Sequence, residues 1–233
     1  MGRGWVHGVR EASAAKKGKL FTKIAREIAV AVKMGGASAD SNARLRSALK
    51  DAQKNSMPKD TVDRAVKRGL GAGEGENYEE VVYEAYGPHG VAMLVESLTD
   101  NRNRTVQDLR ALFVRGGGNL GEPGSVMWMF DKISSVVASP GKPGADAEEA
   151  AINAGANEVE DLGDGQWRFL GGPSDADTIE AELEKLGWKV LSAEQAYKSK
   201  TPAELSETQE KDLQDFVQRL DDNDDVKKIH LSL

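Results

Sequence analysis

The chain has 233 residues, 39% of them hydrophobic and 30% charged, with only 7 prolines; this is enough for two or three folded modules and too apolar for a disordered chain. It contains no cysteine, which excludes disulfide scaffolds, Cys-based zinc sites, iron–sulfur clusters and thiol nucleophiles and fits a reducing compartment. The formal charge of −7 conceals a split: residues 1–71 hold 16 Lys and Arg against 6 Asp and Glu, net +10, while residues 72–233 hold 15 against 32, net −17. A basic module that meets a polyanion is one reading of that asymmetry, and attraction between the two parts of the chain is the other.

The first strong helical pattern runs from about Leu20 to Lys33, where Leu20, Phe21, Ile24, Ile28, Ala31 and Val32 recur at the period of one buried face. At ~100° per residue, with Lys19 as zero, Lys23 falls near ~+40°, Arg26 near ~−20° and Lys33 near ~−40°, so these cations share one stripe opposite the core. Gly35 and Gly36 end the helix. Asp40 or Ser41 is expected to cap a second helix over about Asn42 to Asn55, with Leu45, Ala48, Leu49 and Ala52 inward and Arg46, Lys50 and Lys54 outward. Pro58 suits the first turn of a third helix, whose core face is Val62, Ala65 and Val66 and whose Asp60–Arg64 and Asp63–Lys67 spacings suit ion pairs. The alternating Gly69, Gly71, Gly73 and Gly75 then predict a flexible joint.

Val81 to Tyr86 and Val91 to Leu98 read as strands of a hairpin around Gly87-Pro88-His89-Gly90. Helical spacing returns over Arg104 to Val114, a Gly-rich turn follows, and Ser125 to Phe130 reads as a strand. From Ile133 to Tyr197 the order strand, helix, strand occurs twice, which is the split βαβ pattern of a ferredoxin-like fold. Ser206 to Leu220 is a helix, and Val226 to Leu231 a strand with Val226, Ile229 and Leu231 as candidate inward residues. A lone helix and strand bury no core, so this tail is expected to complete the sheet begun at Tyr78. The expected class is α+β with three domains: a basic helical domain over 1–77, a discontinuous α/β domain over 78–131 and 204–233, and an inserted ferredoxin-like domain over 132–203. Arg3, Arg10, Lys16, Lys17 and Lys19 precede no apolar run, and the longest purely apolar stretch, about Ile28 to Val32, is far below the ~20 residues of a membrane span. A cytoplasmic protein without a membrane partner is therefore expected.

Several phrases together resemble the YebC/PmpR family, which includes the mitochondrial translational activators of cytochrome oxidase subunit one. They are Lys19-Leu20-Phe21-Thr22-Lys23 with Arg26-Glu27-Ile28, Gly35-Gly36, Tyr83-Glu84-Ala85-Tyr86-Gly87-Pro88, Asp100-Asn101-Arg102-Asn103-Arg104-Thr105, Gly117-Gly118-Asn119-Leu120-Gly121 and Gly124-Ser125-Val126. The resemblance implies three domains and a non-enzymatic role in gene expression, as DNA-binding transcriptional regulation or as ribosome-associated support of translation. The chain departs from the family's opening, for Gly4 precedes Trp5 and Glu11 and Ser13 interrupt the positive run.

The candidate nucleic-acid contacts are Arg3, Trp5, Arg10, Lys16, Lys17, Lys19, Lys23, Arg26, Lys33, Arg46, Lys50, Lys67 and Arg68. Lys and Arg neutralise phosphates and release counterions, giving salt-sensitive binding that is largely blind to sequence. The bland reading is a solvated helix face, against which stands the shared sign of three successive helices. Trp5 suits base stacking or packing on its own domain. Arg102 and Arg104, at the mouth of a helix, suit a phosphate or partner as well as nearby acids. Gly116 to Gly121 lacks the lysine of a phosphate loop, since Glu122 stands in its place, and reads as a turn. Asp221-Asp222-Asn223-Asp224-Asp225 resembles the start of an EF-hand, but Val226 replaces its glycine and Ser232 its closing Glu, so it reads as an acidic turn. His7, His89 and His230 are isolated and stand in no metal or nucleophile motif. No catalytic residue, metal or cofactor is expected, and no zipper or dimer helix is visible, so a monomer is. A DNA-binding transcriptional regulator, an RNA-binding factor on the ribosome, and a module that binds only proteins remain the alternatives.

Overall fold

A computed structural model describes residues 14–71 and 78–233. Among them are seven α-helices and two antiparallel four-stranded sheets, an α+β fold. The chain divides into two compact units, one of Lys132–Lys198 and one that includes the residues up to Asp131 together with Ser199–Leu233.

In the second unit, α1 (Ala14–Gly35), α2 (Ala43–Lys54) and α3 (Lys59–Gly69) enclose a small core. Ile24, Ile28, Ala31 and Val32 meet Leu45, Ala48, Ala52, Met57 and Ala65, with Leu20 and Phe21 packed at its edge. Ala29 and Val30, off the expected face, are buried too, so α1 is covered on more than one side. Asn42, rather than Asp40 or Ser41, caps α2: its side chain accepts from the Leu45 amide and donates to the Ala31 and Gly36 carbonyls. An aspartate could not donate to those carbonyls. Gly69 belongs to α3 rather than to a joint, and a Cβ there would come within 2.5 Å of the Ala29 carbonyl. Glycine is required at that position for α3 to lie against α1. Gly73 and Gly75 of the expected joint lie outside the described residues.

The same unit holds a sheet in the order β3-β1-β2-β8, built from β1 (Glu79–Tyr86), β2 (Ala92–Thr99), β3 (Asn119–Leu120) and β8 (Val226–Leu231). Its central strand β2 is buried on both faces apart from Glu96. Two helices, α4 (Arg102–Arg115) and α7 (Glu207–Asp221), pack together, with the Phe113 and Phe216 rings edge to face at 5.1 Å. The return from α4 into the sheet needs Gly118, where a Cβ would strike the Tyr86 carbonyl at 2.3 Å. On β8 the buried positions are Val226 and His230, followed by Ser232, while Ile229 and Leu231 are only partly buried. The register with β2 shifts between Glu96 and Ser97, so Val226, Ile229 and Leu231 stand opposite Ser97, Val95 and Met93 and share one face, whereas His230 stands opposite Leu94 on the other.

The strand expected over Ser125 to Phe130 does not form; the chain turns there, makes a short 3-10 turn over Met127–Met129, and enters β4 (Phe130–Ser139). The reason is Glu84, whose carboxylate accepts from the amides of Gly124, Val126 and Met127 at 2.6 to 2.7 Å. Amides committed to a carboxylate cannot enter a β ladder.

The unit Lys132–Lys198 follows the expected double strand, helix, strand order. α5 (Ala147–Ala154), β5 (Glu158–Gly163), β6 (Gln166–Gly171), α6 (Ala176–Lys185) and β7 (Lys189–Ser199) follow β4, and the sheet order is β5-β6-β4-β7. Numbered from β4, that is 2-3-1-4, the arrangement of a ferredoxin-like fold. Its core joins Val136, Phe169, Ile179, Leu183 and Trp188 to four alanines of α5.

Candidate nucleic-acid interface

The helical segment of residues 14–71 carries its cations on all three helices. Lys17 and Lys33 on α1 and Lys67 and Arg68 on α3 are exposed, Arg46 and Lys50 on α2 are partly covered, and Lys16 lies in the first turn of α1. Arg46 donates to the Ala39 carbonyl and so secures the α1–α2 loop. Arg64 donates to the Asp60 carbonyl and the Thr61 hydroxyl. Arg3, Trp5 and Arg10 lie outside the described residues.

The central part of the predicted stripe, Lys19, Lys23 and Arg26, meets the turn between α7 and β8. Lys19 Nζ donates to the Asp222 carbonyl at 2.9 Å. Lys23 Nζ donates to the Asp221 carbonyl and, at 3.1 Å, to its carboxylate. Arg26 Nη1 donates to the Asp224 carbonyl at 2.8 Å and to Asp225 Oδ1 at 3.0 Å. Two of these carbonyls belong to the last residue of α7 and its C-cap, where unpaired carbonyls and the helix dipole give partial negative charge. The side chains of Lys23 and Arg26 retain only 16% of their exposure.

Asp225 is the fixed point of the turn. Its side chain is 5% exposed and also accepts from Arg104 Nη2 at 2.9 Å and from the Thr105 hydroxyl at 2.8 Å. Burial works to raise the Asp225 pKa, but Arg104, Thr105 and Arg26 outweigh it and hold the carboxyl below its ordinary range. Arg104 is aimed by the start of α4, where the Asn101 side chain accepts from its amide, and it also pairs with Asp100 at 2.8 Å. Arg102 pairs with Glu79 at 2.6 Å on the exposed surface. In this structure both arginines of the Asn-Arg-Asn-Arg phrase therefore hold carboxylates.

A second charged cluster joins the same two parts of the chain. Arg44 pairs with Glu27 at 2.6 Å and also with Glu80, and Lys227 lies 3.1 Å from Glu27 and 3.2 Å from Glu80. Burial alone would raise the Glu27 pKa, yet Arg44 and Lys227 keep it lowered. Arg44, Glu80 and Lys227 carry no signal in the sequence beyond charge, and Glu27 stands out only within the Arg26-Glu27-Ile28 phrase.

Beside Arg26, whose guanidinium stands 5.4 Å from the centre of the Tyr78 ring, a cleft of about 320 Å³ opens between α1 and α3. Phe21, Thr22, Arg26, Thr61, Arg68 and Tyr78 line it. Aromatic faces, hydroxyls and guanidinium groups together suit stacking and phosphate contact. Among the described residues, no helix is long and apolar enough to cross a membrane.

The comparisons with known proteins cover nearly all of this architecture. The TACO1/YebC protein N-terminal domain matches residues 5–72, and the TACO1/YebC second and third domain matches residues 78–233. The protein named "Probable transcriptional regulatory protein Bd1964" from Bdellovibrio bacteriovorus is 45% identical over 100% of both chains. "Probable transcriptional regulatory protein Pfl01_3677" from Pseudomonas fluorescens is 43% identical over 100% of this chain and 99% of its own. The crystal structure of the conserved hypothetical protein Aq1575 from Aquifex aeolicus is 35% identical, with a TM-score of 0.84 over 97% of this chain and 96% of that one. With the two domain models matching residues 5–72 and 78–233 and relatives similar over their full length, the chain belongs to the TACO1/YebC family.

Proposed function

We propose that this protein is a non-enzymatic regulator of gene expression that binds nucleic acid through the helical segment, acting as a DNA-binding transcriptional regulator. The observation that carries the reading is the net +10 of residues 1–71 in a chain of net −7, spread over three helices with Lys17, Lys33, Lys67 and Arg68 on the surface. Relatives similar over their full length are named as transcriptional regulatory proteins, which supports the same reading. Cations distributed over several helices contact phosphates without reading base edges. That distribution equally favours a second reading, an RNA-binding factor on the ribosome, because structured RNA is recognised largely by shape and phosphate.

Salt-titrated binding to duplex DNA beside co-sedimentation with ribosomes tests both. Sequence-selective DNA binding without ribosome association is expected of the transcriptional regulator. Retention on ribosomes at salt that abolishes DNA binding would replace it with the second reading. Failure in both assays would leave the basic segment as a protein-binding module.

A further inference from the structure

The charged groups at the junction between the helical segment and the β1–β2–β8 sheet are unequally provided for. Asp225 has Arg104 and Thr105 on its own side, so it stays paired if Arg26 leaves. Glu27 has Arg44 within the helical segment, and Lys227 has Glu80 within the sheet. Separating the two parts would therefore strand none of these buried charges. Lys19, Lys23 and Arg26 are different: their hydrogen bonds and ion pairs are to residues 221–225. They are also the residues at steps of four and three along α1 that form the centre of the cationic stripe.

The geometry points to an intramolecular competitor: we propose that the acidic α7–β8 turn occupies Lys19, Lys23 and Arg26 in place of a nucleic-acid backbone, so that phosphates reach this face only when the turn is displaced. This rests on the nucleic-acid reading above and specifies how that site is regulated. Four of the five residues 221–225 are aspartates, and the turn sits at the negative end of α7. It offers oxygens to three successive cations at spacings of 2.8 to 3.1 Å for Lys19, the Lys23–carboxylate pair and Arg26, as phosphate oxygens would. With 16% of their side chains exposed, Lys23 and Arg26 are largely covered while the turn is seated. Asp221 and Asp224 are exposed: the Asp221 carboxylate takes Lys23, and Asp224 gives Arg26 its backbone carbonyl while adding its charge to the turn's outer side. Between the two parts, the chain runs continuously only through residues 70–78, so the helical segment can separate without unravelling either sheet.

The test is fluorescence anisotropy of a labelled duplex DNA and a labelled RNA hairpin, titrated with the full chain over a range of salt. The variant Asp221→Lys with Asp224→Lys repels Lys23 and Arg26 from the turn while leaving Asp225 in place. A control with the same charge change at exposed positions elsewhere, Asp108→Lys with Glu149→Lys, accounts for net charge, and a thermal melt by circular dichroism verifies that both variants fold. The turn variant is expected to bind at least about tenfold more tightly than the control, with log K falling more steeply against log salt by two to three, because about three more phosphates are neutralised at roughly 0.9 each. Adding Lys19→Glu, Lys23→Glu and Arg26→Glu to the turn variant should abolish that gain. A turn variant no tighter than the control, where the parent binds, overturns the competitor and leaves the nucleic-acid reading standing. A gain that survives the triple reversal overturns it as well, since other cations would then be responsible. No binding by parent, control or turn variant overturns both readings together.

Discussion

The two compact units solve the problem of holding a fold together differently. In Lys132–Lys198, strands and helices that are near in sequence bury an apolar core, with Glu180 buried on α6, and its ion pairs range from half-buried, Arg168 with Glu160 at 15% and 35% exposed, to open, Lys198 with Glu158 at 40% and 50%. The other unit adds carboxylates deep in its structure, Glu84 under the 124–127 turn, Asp225 at the start of α4, and Glu96 against His230 at 2.7 Å. Each joins segments 40 to 134 residues apart. Apolar packing is non-directional, whereas a buried carboxylate must find donors at fixed places or lose several kcal/mol. The first unit is thus specified mostly by pattern, and the second by a few polar contacts that admit one arrangement of distant pieces.

The largest expected effect lies in the apolar unit. Phe169 is fully buried, edge to face with Trp188 at 5.2 Å, and Phe169→Ala should cost about 3–5 kcal/mol, read by calorimetry as a lowered transition for that unit alone. A uniform fall across both units would mean they unfold as one. Asp225→Ala should cost about 3 kcal/mol, because it leaves the Arg104, Arg26 and Thr105 donors without their buried acceptor. Its denaturant midpoint, compared with that of Asp225→Asn, measures how much of this is charge.

Acid should separate the units more gently. Glu84, Glu96, Glu27 and Asp225 all have pKa values lowered from the ordinary 4.5 for Glu and 3.8 for Asp, since hydrogen bonds and cations overcome the burial that would raise them. A lowered folded pKa stabilises fully above the unfolded value and is lost as pH falls through the folded one. Urea midpoints between pH 6 and 3 should therefore fall further for the unit with these four groups than for Lys132–Lys198. Equal losses would refute the contrast. The smallest effect belongs to Lys198→Ala, which removes an exposed pair and should change stability by about 0.5 kcal/mol or less.

Sequence made the pattern-driven parts legible. The helix faces of α1 to α3, the hairpin around His89 and the order of elements from β4 to β7 follow from period and turn residues. What could not be read is what a distant residue does to a local pattern. Ser125 to Phe130 has strand-like composition, but nothing nearby announces that Glu84 takes two of its amides and that of Gly124 before it. Asn42 outdoes Asp40 as a cap only because carbonyls on α1 need a donor. The cationic stripe was visible to the residue; that its centre meets aspartates some 200 positions later was not. The charge split offered attraction between the two parts of the chain as one alternative, yet it could not place the contact.

That separation sets an order of events when the chain is made. Lys19, Lys23 and Arg26 emerge early, and the aspartates that receive them follow only 198 to 203 residues afterwards. Helices with local contacts fold quickly, while pairings of such span must wait for the chain to be supplied. Throughout synthesis the newborn helical segment therefore stands beside the ribosome as an uncapped polycation, and the α7–β8 turn is the last piece to shield it.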